Sequence, residues 1–126
     1  MNSMAMVVAL EAMALMTTHA FERFNLSKIY AGQHEGLWKW VNSLKLIGYD
    51  VEGLRREQNC RDGRRYDVIL TGITGTRYYA LKDQRGGSLL GDDIDALMAK
   101  RSKVDFVPGL RSALEGFGTD HDPQPD

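Results

Sequence analysis

The side chains best suited to chemistry in this 126-residue chain fall between positions 34 and 67. His34 and Glu35 sit together between the apolar pair Ile29-Tyr30 and a stretch with helical periodicity. A histidine titrates near neutrality, and a carboxylate beside it can hold or take a proton, so the pair is a candidate for general-base catalysis. The alternative is a solvated loop histidine followed by an acid placed at a helix N-terminus. Glu52 and Asp67 fall on neighbouring predicted strands and are candidate substrate contacts. Cross-strand pairing with Arg55 or Arg65 is the competing role. Arg55, Arg56, Arg61, Arg64 and Arg65 surround a turn and can bind phosphate groups, or form a solvated hairpin with Asp62 and Glu57 as partners. Cys60 beside that turn is the one cysteine, which excludes an intramolecular disulfide and suits a reducing cytosol. No metal-ligand spacing, Ser-His-Asp order or P-loop occurs.

These residues need elements to hold them. Ile29 and Tyr30 suit a strand over 28–33. Gly32 and Gly36 bracket a break. Leu37, Trp40, Val41, Leu44 and Ile47 then recur at helical spacing over 37–47, and Gly48 supplies the left-handed stop. Trp38 and Trp40 are two apart and cannot share a face; Trp40 is expected in the core and Trp38 outside. Residues 49–59 and 64–74 read as a hairpin turning at Asp62-Gly63, with Gly53 marking a bulge or close approach. In the second of these strands Tyr66, Val68 and Leu70 make a clearly apolar face and Arg65, Asp67 and Ile69 a mixed one. Upstream, residues 4–24 form an uninterrupted apolar helix, expected to be buried on more than one side.

Downstream, residues 77–81 fit either a short strand or a helical turn, 89–103 have helical character behind Asp92 and Asp93, and Pro108 opens a last helix to Glu115. From Gly116 the chain is polar and carries two of its three prolines, the composition of a disordered tail. The domain reading is therefore 1–75, a helical extension over 76–115, and a tail over 116–126. A hydrophobic share of 43% is enough for one core, and a net charge of −1 argues against general nucleic-acid or membrane-surface binding. No apolar run reads as membrane-spanning. Glu11, with no Lys or Arg before it, argues against a signal peptide, and a cytoplasmic location is expected.

The order helix, strand, helix, hairpin resembles the second half of the GNAT N-acetyltransferase fold, in the subgroup of ribosomal-protein and amino-sugar acetyltransferases. The resemblance covers residues 4–74. It rests on Glu11-Ala12, on His19-Ala20-Phe21-Glu22-Arg23-Phe24-Asn25-Leu26-Ser27-Lys28-Ile29, on Gly48-Tyr49-Asp50-Val51-Glu52-Gly53-Leu54-Arg55, and on Asp62-Gly63 with Tyr66-Asp67. It implies an α+β, partial GNAT-like acyl-CoA N-acyltransferase fold and an acetyl-CoA-dependent transfer to a primary amine. The cofactor's pyrophosphate would lie on backbone N–H groups at a helix N-terminus.

The resemblance also sets family positions on this chain. The phosphate loop falls on residues 4–9, where only Ala9 keeps the pattern while Met4 and Val7 replace a basic or amide residue and a glycine. In the second helix the cofactor-touching position falls on Leu37, and two further family positions fall on Trp40 and Leu44, none with the family's residue type. Weak or absent binding of acetyl-CoA by this chain is the expectation, and the alternative function is a non-catalytic α+β interaction or dimerisation module. The many apolar residues of the first helix, Val7 and Leu10 among them, lead to the expectation of a homodimer or a partner chain.

Overall fold

The computed structural model describes residues 3–121. Helix α1 (Ser3–Phe24) leads into strand β1 (Lys28–His34), a single 3-10 turn (Glu35–Leu37) and helix α2 (Trp38–Lys45). The hairpin β2 (Asp50–Arg61) and β3 (Arg64–Thr74) follows, then helices α3 (Gly75–Gln84), α4 (Ile94–Ala99) and α5 (Val107–His121). The sheet is antiparallel throughout, in the order β1-β3-β2. The chain has an α+β fold, as its periodicities require.

Local chemistry explains the joints. Asn25 ends α1 with φ 53°, a left-handed conformation that Asn tolerates better than most residues. Asp62 and Gly63 both take positive φ, 52° and 76°, which matches the twist of a tight hairpin. Gly48 lies at φ 104°, and a Cβ there would stand 2.9 Å from Ile73 Cδ1, so both backbone and packing require glycine. The register of β2 against β3 shifts between Val51 and Gly53, the bulge that Gly53 announces.

Two core clusters meet at α2. Leu44 and Ile47 pack with Leu10, Ala14 and Phe21 of α1, with Ile73, and with Tyr78, Leu81 and Leu89 downstream. Val41 packs with Leu54, Ile69 and Val107, with Trp38 and Phe106 at the margin. Buried Thr17 and Tyr49 share a hydrogen bond of 2.8 Å between hydroxyls. Burial pushes the Tyr49 phenol above its ordinary value. The helical extension is therefore part of the same packing: Tyr78 stacks on Phe21 and Val107 closes the second cluster.

Several expectations are corrected. Helix α1 is buried on one face only: Met6, Leu10, Ala14, Thr17 and Phe21 lie inside, while Met4, Val8, Leu15 and Met16 are exposed. Leu10 is a core residue and so cannot serve the association expected from the sequence. Met4–Phe24 is also long and apolar enough to cross a membrane by length and composition, contrary to the sequence reading. Its inner face is built into the core, and 28% of the span is buried. On β3 the core face is the mixed one, Asp67, Ile69, Thr71 and Ile73, because the helices cover that side. Tyr30, Val68 and Leu70 instead line an open hollow bounded by sheet residues alone. Trp40 is half-buried at the edge of the first cluster, and Trp38 is half-buried rather than outside. Residues 77–81 are helical, within α3. Of 89–103 only Ile94–Ala99 is helix, capped by Asp93, whose carboxylate accepts from the N–H groups of Asp95 and Ala96. Helix α5 passes the expected end at Glu115 and overlaps the segment expected to be a disordered tail, whose residues 122–126 lie outside the described residues.

Candidate functional site

The C-terminal end of β1 and the start of β3 bring three of the sequence-selected residues into one place. β1 ends at His34 opposite Val68, and the 3-10 turn carries Glu35 over the edge of β3. Here Asp67 lies on the helix-covered face and is buried. Its backbone N–H donates to Glu35 Oε1 at 3.0 Å. Arg111, from α5, donates from Nη2 to Glu35 Oε2 at 2.7 Å, and from Nε and Nη2 to Asp67 Oδ2 at 3.0 and 2.7 Å. Three elements distant in sequence are thus tied by one guanidinium.

Charge follows from this geometry. The Asp67 N–H, and then the Arg111 cation, hold the Glu35 carboxyl below its ordinary value against partial burial. Asp67 first and Glu35 second push Arg111 further up. Glu35 stays ionised and committed to its partners, which makes it a poor proton acceptor for a substrate. His34 is also committed at one nitrogen. Its Nδ1 accepts from the Gly36 N–H at 2.8 Å, so in the neutral ring the proton sits on Nε2. That ring packs at 4.3 Å on Tyr66 and presents a donor, not the lone pair that a general base needs.

Beside this cluster lies a cavity of about 390 Å³ lined by His34, Trp38, Arg64, Tyr66 and Arg111, with Asp105 at its rim. Among the described residues no group of His, Cys, Asp and Glu has the arrangement of a metal site. Glu52 lies elsewhere. It reaches across the opposite sheet face to Lys28, 2.6 Å away, and lies flat on Gly72, where a Cβ would stand 2.8 Å from its carboxylate. The sheet separates Glu52 from Asp67, so the two carboxylates do not share a site: Glu52 pairs with Lys28 and Asp67 with Arg111. Arg111 escaped sequence reasoning: it lies 76 residues from Glu35 and belongs to no local pattern. The hairpin arginines are split by the fold, Arg64 and Arg65 lining the cavity while Arg55 borders the open sheet face.

No family model matches the chain, and no curated protein matches it. Solved structures do. A point mutant of the spermidine N-acetyltransferase SpeG from Vibrio cholerae is 27% identical, with a TM-score of 0.53, over 56% of this chain and 41% of that chain. A form of the spermidine/spermine enzyme from the same organism is 26% identical, with a TM-score of 0.56, over 58% of this chain and 44% of that one. This is a partial GNAT acyltransferase fold. A GCN5-related N-acetyltransferase from Brucella melitensis, 21% identical with a TM-score of 0.56, shares the fold over 61% of this chain and 35% of its own. The chain spans well under half the length of the enzymes it matches.

The two cofactor positions set by the resemblance find no supporting site. Residues 4–9 lie within α1, so Ala9 is a helix-interior residue whose N–H is spent on the helical ladder. Exposed Met4 and Val8 make the surface there apolar. Leu37, at the end of the 3-10 turn, is 46% exposed and offers no hydrogen bond from its side chain. Neither Ala9 nor Leu37 offers a group that would hold the pyrophosphate of acetyl-CoA.

Proposed function

We propose that this chain is an amine N-acetyltransferase-like module, akin to the amino-sugar and ribosomal-protein branch, that is incomplete for acetyl transfer by itself. Acetyl-CoA and a primary amine are the substrates of the reading, in a cytosolic setting. One observation carries it: the match to spermidine N-acetyltransferases, at 26–27% identity, over little more than half of this chain and under half of theirs. The helical state of residues 7–9 supports the incompleteness, since their backbone N–H groups are already bonded within the helix.

The test is calorimetric titration of the chain with acetyl-CoA, alongside an assay of acetyl transfer to spermidine and to an amino sugar. No heat of binding and no transfer are expected. Micromolar binding of acetyl-CoA would overturn the incompleteness. A second reading, a non-catalytic interaction module, is favoured by the commitment of Glu35, Asp67 and His34 to internal partners. Partner-dependent appearance of acetyl transfer would decide against it.

A further inference from the structure

We propose that this chain forms a two-fold dimer through the free edge of β1, the two strands running antiparallel about Ala31 so that one sheet continues through both copies. The inference goes beyond acetyl transfer and does not depend on it.

The edge itself comes first. Among the described residues β1 pairs only with β3. The phase of that ladder follows from one bond: Gly75 N donates to Ser27 O at 2.8 Å, directly ahead of the Lys28↔Thr74 pair. Alternation along an antiparallel ladder then turns the backbone N–H and C=O groups of Lys28, Tyr30, Gly32 and His34 away from β3. Such a row is a template for another strand unless something blunts it. Here little does. β1 contains no proline, its register against β3 has no bulge, and its one lysine is drawn off to Glu52.

The strand is complementary to itself in one arrangement. With Ala31 facing its own copy, Tyr30 stands opposite Gly32 of the partner subunit, and both belong to the outward-turned set. Each such pair exchanges two backbone hydrogen bonds. Tyr30 is 74% exposed, and Gly32 leaves bare backbone for its ring to cover, an arrangement that stabilises glycine in strands. At the ends Lys28 stands opposite His34 of the partner subunit. Parallel pairing would set lysine on lysine. The Tyr30–Gly32 fit and the avoided lysine pair therefore select the antiparallel form.

The same operation accounts for a second uncovered feature. Tyr30 and Gly32 both face the open side of the sheet, so pairing them keeps the helix layers of the two copies on one side. Helix α1 is joined to β1 by residues 25–27, and its outer stripe of Met4, Val8, Leu15 and Met16 is exposed. The two-fold sets those stripes in the same layer, where each can cover the other, whereas a strand from an unrelated chain leaves them in water.

Sedimentation velocity across the micromolar range tests the proposal. The wild-type chain is expected as a dimer, and Tyr30→Pro as a monomer with an unchanged far-ultraviolet spectrum. Proline there removes an outward N–H and leaves the bonds to β3 in place. Should that variant not fold, Tyr30→Lys places a charge on the edge to the same end. In a Cys60→Ser background, Ala31→Cys is expected to cross-link to its copy on mild oxidation and Lys28→Cys is not. A wild-type monomer throughout overturns the proposal, as does a dimer that survives both Tyr30 variants or a chain whose Ala31→Cys form fails to cross-link. Acetyl-CoA titration of the same samples reads the acetyltransferase proposal separately.

Discussion

Arg111 Nη2 stands 2.7 Å from Glu35 and 2.7 Å from Asp67, so a residue of the last helix closes the end of the sheet. Replacing it with alanine takes the guanidinium away from Asp67, whose side chain is 11% exposed. A loss of about 2 kcal/mol in urea unfolding is expected, the cost typical of removing a charged hydrogen-bond partner from a buried carboxylate. Arg111→Lys recovers only part of it, because one ammonium cannot match the placed donors of a guanidinium.

The same cluster sets an acid limit. Glu35 is held below its ordinary value of 4.5 in the folded chain, first by the Asp67 N–H and then by Arg111. Its stabilising effect is therefore complete above that ordinary value and is lost as the pH falls through the lower folded one. The urea midpoint should be level from neutrality down to about pH 4.5 and then drop. Glu35→Gln should start lower at neutral pH and show a smaller acid drop, measured as the difference between the two curves.

Gly72 and Glu52 form a separable pair. A methyl group at position 72 meets the Glu52 carboxylate at 2.8 Å and pushes it off Lys28. Because the obstacle is the end of a flexible side chain, Gly72→Ala is expected to cost about 1 kcal/mol or less. The double variant with Glu52→Ala should be more stable than the sum of the single effects implies, which a double-mutant cycle reads directly.

Helix α1 divides sharply between inside and outside. Leu10 is fully buried among Phe21, Leu44 and Ile47, and Leu10→Ala should cost about 3 kcal/mol in chemical unfolding. Val8 is 61% exposed, and Val8→Ala should leave the unfolding free energy within about 0.5 kcal/mol at a concentration where the chain is monomeric.

Asn42 fastens the irregular segment after α4. It is 1% exposed, and its Nδ2 donates to the carbonyls of Ser102 and Val104 at 3.2 and 2.9 Å. Asn42→Ala leaves these carbonyls without that donor. Hydrogen exchange around residues 101–106 should accelerate well before global unfolding does.

The order of elements from 4 to 74 was legible in the sequence because each carries its own short-range signal. These signals are helical spacing through Leu44 and Ile47, the Asp62-Gly63 turn, and glycines at 48 and 53 whose backbone roles are local. His34, Glu35 and Asp67 were legible as residue types able to do chemistry. Their employment was not. Only the tertiary structure placed Arg111 between Glu35 and Asp67, put Glu52 on the other side of the sheet, and chose the mixed face of β3 for burial. The reason is physical: a strand's alternation marks two faces without saying which one helices will cover. A charged residue's partner is set by contacts across 76 positions that no local pattern encodes.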